Sequence, residues 1–184
     1  MPIYQNSSVD SDKLTLGNYT ISYATAGTSA AGSWVNLGAG ILNSHGYNME
    51  KYDVQAGNAP DPIEGISKET YTLDFELIEW TGTALTGLMC GAITRSAVAT
   101  KETIIGGGNV DLTPIGIKAV NTTGTYVTTI VVWKATPDAG LQFSAKSDND
   151  SDPIMVMPMT MTAKLDSTKT AGTQLFSITR TVVA

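Results

Sequence analysis

The sequence predicts an all-β protein, and three observations predict it. Charged residues make up only 15% of the chain, well below the usual quarter, so Thr, Ser, Asn and Gly must supply much of the surface. Abundant Thr beside Val, Ile and Tyr favours pleated strands over helices. Tyr71, Leu73, Phe75 and Leu77 alternate with Thr70, Thr72, Asp74 and Glu76, the period-two pattern of a half-buried strand.

At 184 residues and 42% hydrophobic content, the chain can bury a core without disulfides or a metal. Residues 1–12 are polar and aperiodic, and read as an arm that is flexible in the isolated subunit. Residues 13–184 read as one β domain, with no internal repeat and no linker. Leu14 and Leu16, then Tyr19, Ile21 and Tyr23, alternate on either side of Gly17-Asn18, which predicts a tight hairpin over residues 13–24. Residues 26–33 are a small-residue loop. Trp34-Val35-Asn36-Leu37-Gly38 is a short apolar anchor.

Residues 41–55 read as a long strand with no proper apolar face. One face carries Asn43, His45, Tyr47, Met49, Lys51 and Asp53; the other carries Ser44, Gly46, Asn48, Glu50, Tyr52 and Val54. Such a strand is a poor core strand in a monomer and specifies its register weakly. Gly57, Asn58, Pro60, Asp61 and Pro62 form a turn cluster. An antiparallel pair is expected between the long polar strand and the alternating strand after it.

Thr81 or Thr83 can cap a short helix in which Leu85, Leu88 and Met89 stand at i, i+3 and i+4, with Gly91 suited to its end. Internal glycine makes this helix, near residues 83–90, dependent on packing against a sheet. Residues 92–113 are rich in Ala, Thr and Gly and yield no assignment beyond a flexible turn at Gly106-Gly107-Gly108. Strands resume at residues 115–120 and 126–135, parted by the turn residues Asn121-Thr122-Thr123-Gly124. Ile130-Val131-Val132-Trp133 is apolar on both faces and should lie centrally.

A loop at residues 137–140 precedes a short strand at 141–145 and a polar turn at 147–153. Residues 154–165 then place Met155, Met157, Met159, Met161, Ala163 and Leu165 on one strand face. Met fills irregular packing space, so this stripe reads as core or subunit contact rather than a ligand site. Pro158 has no amide donor, which predicts an edge or a bulge there. A loop at 166–172 leads to a closing strand at 174–183.

The net charge is −6 and the pI about 4.6, which disfavours gripping a phosphate backbone, since that takes clustered Lys and Arg. Asp61, Glu64, Glu69, Asp74, Glu76 and Glu79 stand against the single base Lys68, giving either a solvated strand face or a wall that repels anions. Cys90 is the only cysteine, so no intramolecular disulfide forms and a reducing assembly site is compatible. No signal-peptide pattern opens the chain and no apolar run approaches membrane-spanning length, so a soluble protein is expected.

Catalysis finds little footing. His45 is the only histidine and has no nucleophile motif near it. A single Cys and a single His cannot supply an ordinary zinc site. Asp148-Asn149-Asp150-Ser151-Asp152 lacks the glycine and terminal glutamate of a calcium loop and reads first as an acidic turn, with calcium binding the lesser alternative. Gly106-Gly107-Gly108 lacks the lysine of a phosphate cradle. Glu76 and Glu79 are not placed across a cleft by sequence proximity. No enzyme activity, metal or cofactor is therefore expected.

The order of elements from Leu14 onward resembles that of the tail tube, or major tail, proteins of long-tailed bacteriophages: a hairpin, the Trp34 to Gly38 anchor, a long polar strand, a Pro/Asp loop, an alternating strand, one leucine helix and further strands ending in Leu175-Phe176-Ser177-Ile178. The resemblance implies a β-sandwich or barrel-like subunit with one flanking helix. Inner sheets would merge into a ring barrel in homo-hexamers, and rings would stack into a hollow tube. It also implies tail terminator, tape measure and baseplate-type partners, transient non-specific passage of DNA, no membrane, and a place in the virion tail after assembly in the host cytoplasm. On that pattern Glu50, Thr72, Asp74 and Glu76 face the lumen as an acidic wall that keeps DNA from sticking. The loop with Gly57, Asn58, Pro60, Asp61 and Pro62 reaches a neighbouring subunit or ring. Residues 92–113 have no counterpart in the pattern. Two alternatives are another self-assembling virion part, such as a capsid decoration protein or a contractile-injection tube, and a monomeric carbohydrate-binding β-sandwich with Trp34, Trp80 or Trp133 as a sugar platform.

Overall fold

The structure is a computed structural model that describes residues 18–25, 33–54, 63–78, 81–98, 100–108, 110–146 and 154–182. Its strands are β1 (Asn18–Thr25), β2 (Val35–Val54), β3 (Ile63–Leu77), β4 (Ile93–Val98), β5 (Lys101–Gly106), β6 (Ile115–Thr123), β7 (Tyr126–Pro137), β8 (Ser144–Lys146), β9 (Ile154–Ala163) and β10 (Phe176–Val182), with one described helix, α1 (Gly82–Leu88). The all-β expectation holds, including its single short helix.

Eight strands form one sheet in the order β10-β7-β6-β1-β2-β3-β9-β8, and β4 with β5 forms a separate two-stranded sheet. All pairings are antiparallel. The flanks of the large sheet meet where β7 also pairs with β9, through Ala135↔Ala163, Thr136↔Thr162 and Pro137↔Met161. The sheet is folded on itself over this short contact rather than closed into a continuous barrel. Its concave side holds the core: Tyr19 and Ile21 of β1, Tyr71, Leu73, Phe75 and Leu77 of β3, Ile117 of β6, Ile130 and Val132 of β7, and Met157, Met159 and Met161 of β9.

The helix forms where its caps allow. Thr81 is the N-cap, its hydroxyl accepting from the Ala84 amide at 3.2 Å. Leu85 and Leu88 are fully buried, and the helix is stopped by left-handed backbone at Cys90 (φ 53) and Gly91 (φ 93). Gly87 is needed for docking, because a Cβ there would overlap the Tyr23 ring of β1.

Several expectations change. Asn18 is the first residue of β1 and already pairs with Ile41 of β2; Gly17 and the other arm of the expected hairpin lie outside the described residues. The long strand starts earlier than expected, at Val35. Residues 93–106, unassigned from sequence, form the β4/β5 hairpin. The short strand expected at 141–145 is shifted to β8. Leu165 leaves the methionine face and is 59% exposed, because β9 ends at Ala163. Pro158 is tolerated as expected for a locally open edge: β9 pairs with β3 on one side, while β8 pairs only up to Val156 and β7 only from Met161 on the other. The arm at 1–12, the loop at 55–62 and the acidic turn at 147–153 lie outside the described residues.

Candidate assembly surfaces

The long polar strand and the alternating strand do pair antiparallel, from Gly40↔Leu77 to Val54↔Ile63. The two strands are held by others only at their base. Pairing of β2 with β1 ends at Ile41, and pairing of β3 with β9 ends at Thr72. Beyond those points residues 43–54 and 63–71 form a two-stranded ribbon about 35–40 Å long at the usual rise of a strand, with neither outer edge paired among the described residues. Residues 43–53 are all exposed, including Tyr47, Met49 and Tyr52, as is Ile66 on the opposite strand.

Local contacts keep the ribbon in register. Tyr47 Oη donates to Glu69 Oε1, which raises the Tyr47 pKa, and Ser67 Oγ donates to the Glu50 carbonyl at 3.0 Å. Lys51 pairs with Glu64 and Lys68 with Glu50, each at 3.5 Å. Tyr52 lies over Gly65, where any Cβ would collide with its ring. Exposed ion pairs add only about 0–1 kcal/mol each, and an isolated two-stranded ribbon is marginal in water. The ribbon's stability in this chain therefore rests on these few local contacts.

At the ribbon's base, Tyr71 stacks on Phe176 of β10 (centroids 4.0 Å apart, planes at 16°), and Tyr47 meets the same ring at 5.7 Å. The Tyr71 hydroxyl lies 3.1 Å from His45 Nδ1, and burial first, then the nearby Tyr19, pushes its pKa up to about 12. His45 is thus engaged by a phenol that stays neutral. Between the ribbon and the start of β10 runs a groove of about 510 Å³, lined among others by Tyr47, Glu69, Leu165, Phe176 and Ile178.

The wall of the groove around Leu165 is anchored by Asp166, a residue that sequence reading assigned only to a loop. Asp166 is fully buried; its Oδ1 accepts from the Thr168 amide (3.1 Å) and hydroxyl (2.8 Å) and lies 3.1 Å from Lys134 Nζ, while its amide donates to the Gln174 carbonyl at 3.0 Å. Burial alone would raise this carboxyl, but the Thr168 bonds and the Lys134 ammonium outweigh it and hold the pKa below its ordinary value. Asp-Ser-Thr is a sequence signal for such a side-chain-to-backbone turn.

Of the residues assigned to a lumen wall, the structure puts Thr72, Asp74 and Glu76 on the β3 face that points away from the core, and the register places Glu50 on that same face, opposite Lys68. Their charges are engaged differently. Ser44 Oγ donates to Asp74 Oδ2 at 2.7 Å. Glu76 departs from expectation: it is only 8% exposed, because an irregularity between Leu42 and Ser44 lets the Asn43 amide reach over it and donate to Oε1 at 3.1 Å. Glu50 is matched by Lys68. Gly57, Asn58, Pro60, Asp61 and Pro62, the expected inter-subunit loop, lie outside the described residues.

The aromatic platforms are covered by cations: Lys118 Nζ stands 4.8 Å from the Trp34 ring and Lys169 Nζ 4.0 Å from Trp133, whose indole donates to the Thr173 carbonyl. Trp80 lies outside the described residues. Among the described residues no cluster of three metal-binding side chains occurs, and no helix is long and apolar enough to cross a membrane.

No protein-family model matches the sequence, and comparison with curated proteins gave no match. The chain is similar in structure to parts of contractile injection systems. One is the tube-terminating cap of the anti-feeding prophage, at TM-score 0.41 and 14% identity with both chains fully covered. Another belongs to the extended PVC sheath-tube complex, at TM-score 0.40 and 15% identity over 97% of this chain and 99% of that one. Neither description names a long-tailed phage. At TM-scores below 0.5 neither likeness bears on function.

Proposed function

We propose that this chain is a non-enzymatic structural subunit that assembles with copies of itself into hexameric rings stacked as a hollow tube of the phage-tail type, through which DNA passes, as the sequence resemblance implies. The β2/β3 ribbon carries the proposal. It extends beyond the core with both edges unpaired among the described residues and with Tyr47, Met49, Tyr52 and Ile66 exposed at 41–51%, a feature that costs a monomer stability and gives an assembling subunit edges for strand pairing. The face bearing Thr72, Asp74 and Glu50 would line the channel, where negative and neutral polar groups repel or ignore a polyanion.

Sedimentation velocity and electron microscopy of the purified protein test this. Native protein should form rings or tubes as its concentration rises, and Ile66→Lys, a charge on the open ribbon, should remain monomeric with an unchanged circular dichroism spectrum. A native protein that stays monomeric at every concentration would refute the proposal.

A further inference from the structure

The β4/β5 hairpin has two unlike faces. Ile93 and Ile104 pack toward the core, and on the same face Arg95 pairs with Glu102. The other face carries Val98, Lys101 and Ile105. Val98 and Lys101 are the last register pair before the turn, so they stand side by side on that face. Val98 is 71% and Ile105 61% exposed, and Lys101 makes no ion pair among the described residues. The hairpin tip therefore presents one exposed apolar side chain, Val98, beside a cation, while Ile105 lies nearer the base of the same face, beyond the Ser96↔Thr103 pair.

The groove between the ribbon and β10 is the complement of that tip. Its lining is apolar at Leu165, Phe176 and Ile178, and Glu69, whose Oε1 accepts from Tyr47, is the one charged residue among the described residues that line it; Lys68, in the adjoining recess, is already matched by Glu50. A volume of about 510 Å³ is ample for two side chains. Since Val98 is open to solvent, the hairpin does not fill the groove of its own chain.

We infer that the β4/β5 hairpin tip of one copy docks in the ribbon/β10 groove of a second copy, with Val98 against Leu165 and Ile178 and the Lys101 ammonium on the Glu69 carboxylate. Hairpin and groove are different patches of one chain, so the contact is head-to-tail and propagates from subunit to subunit. It rests on the self-assembly proposed above and assigns a role to the segment that the family resemblance left without one.

The test is a charge swap read by sedimentation velocity. Lys101→Glu and Glu69→Lys should each raise the concentration needed for assembly by about tenfold or more, and the double exchange should restore it. An independent readout mixes singly substituted Lys101→Cys and Glu69→Cys proteins under oxidant: the mixture should give a disulfide-linked heterodimer that neither variant gives alone. Cys90 is buried and its thiol is pushed up to about 11 by that burial, so it stays silent. Native protein that never assembles would overturn the subunit proposal and this contact with it. Native protein that assembles, with no rescue by the swap and no heterodimer, would overturn the docking contact alone.

Discussion

Replacing Lys134 by Met should destabilise the fold in a way that acid partly reverses. Asp166 is fully buried and its Oδ2 has no hydrogen-bond partner among the described residues, so Lys134, 3.1 Å from Oδ1, is the cation that offsets its charge. Removing one partner of a buried pair costs about 3–5 kcal/mol; the Lys134 side chain is 26% exposed, so water will replace part of it and about 3 kcal/mol is expected. For a chain of this length that lowers Tm by about 6–12 °C. In the native protein the Asp166 pKa is depressed below its ordinary 3.8, so its contribution is present above that pH and is lost as pH falls through the folded value. In the variant the lowering supplied by Lys134 is lost while burial and the Thr168 bonds remain, so the carboxyl rises relative to native, protonation relieves the unpaired charge and the deficit against native should shrink between pH 7 and pH 3. Urea unfolding of both proteins at several pH values, at concentrations where they are monomeric, measures this. A deficit below about 1 kcal/mol at pH 7, or one that does not shrink in acid, would refute the assignment of Lys134 as the partner that matters.

Glu76→Lys should cost about 1–3 kcal/mol, because it loses the Asn43 bond and places an ammonium at a site 8% exposed, whereas Asp74→Lys and Glu50→Lys should each stay within about 1 kcal/mol of native; chemical denaturation separates them. In assembled protein those two milder variants should retain DNA in a salt-dependent way that native does not, as measured by filter retention across a salt series. Cys90, with its thiol near 11, should react with a thiol reagent at pH 8 only at the rate of unfolding; labelling faster than unfolding, seen by mass spectrometry, would contradict its burial.

The sequence by itself determined what depends on neighbours along the chain. The alternation of Tyr71, Leu73, Phe75 and Leu77 gave a strand and its buried face because side chains in a strand alternate sides. Thr81, Leu85, Leu88 and Gly91 gave a helix and both its ends, because caps and i, i+3, i+4 contacts are local. The polar pattern of residues 41–55 marked a strand that the core leaves exposed over residues 43–53, which is most of what was legible of the candidate site.

Only the tertiary structure decided which groups meet across long separations. Glu76 sits in the alternating pattern as an outward residue, yet an irregularity one strand away brings Asn43 over it and buries it. Leu165 continues the methionine pattern but falls beyond the last pairing of β9 and turns outward. Residues 93–106 lack clear alternation because their sheet has one half-buried face and no further strand on either edge among the described residues, so packing on α1 rather than periodicity fixes the hairpin. Asp166 and Lys134 lie far apart in sequence; burial and pairing arise together only once β7 and the 164–175 turn pack, because a carboxylate is kept charged in a protein interior by what folding brings to it.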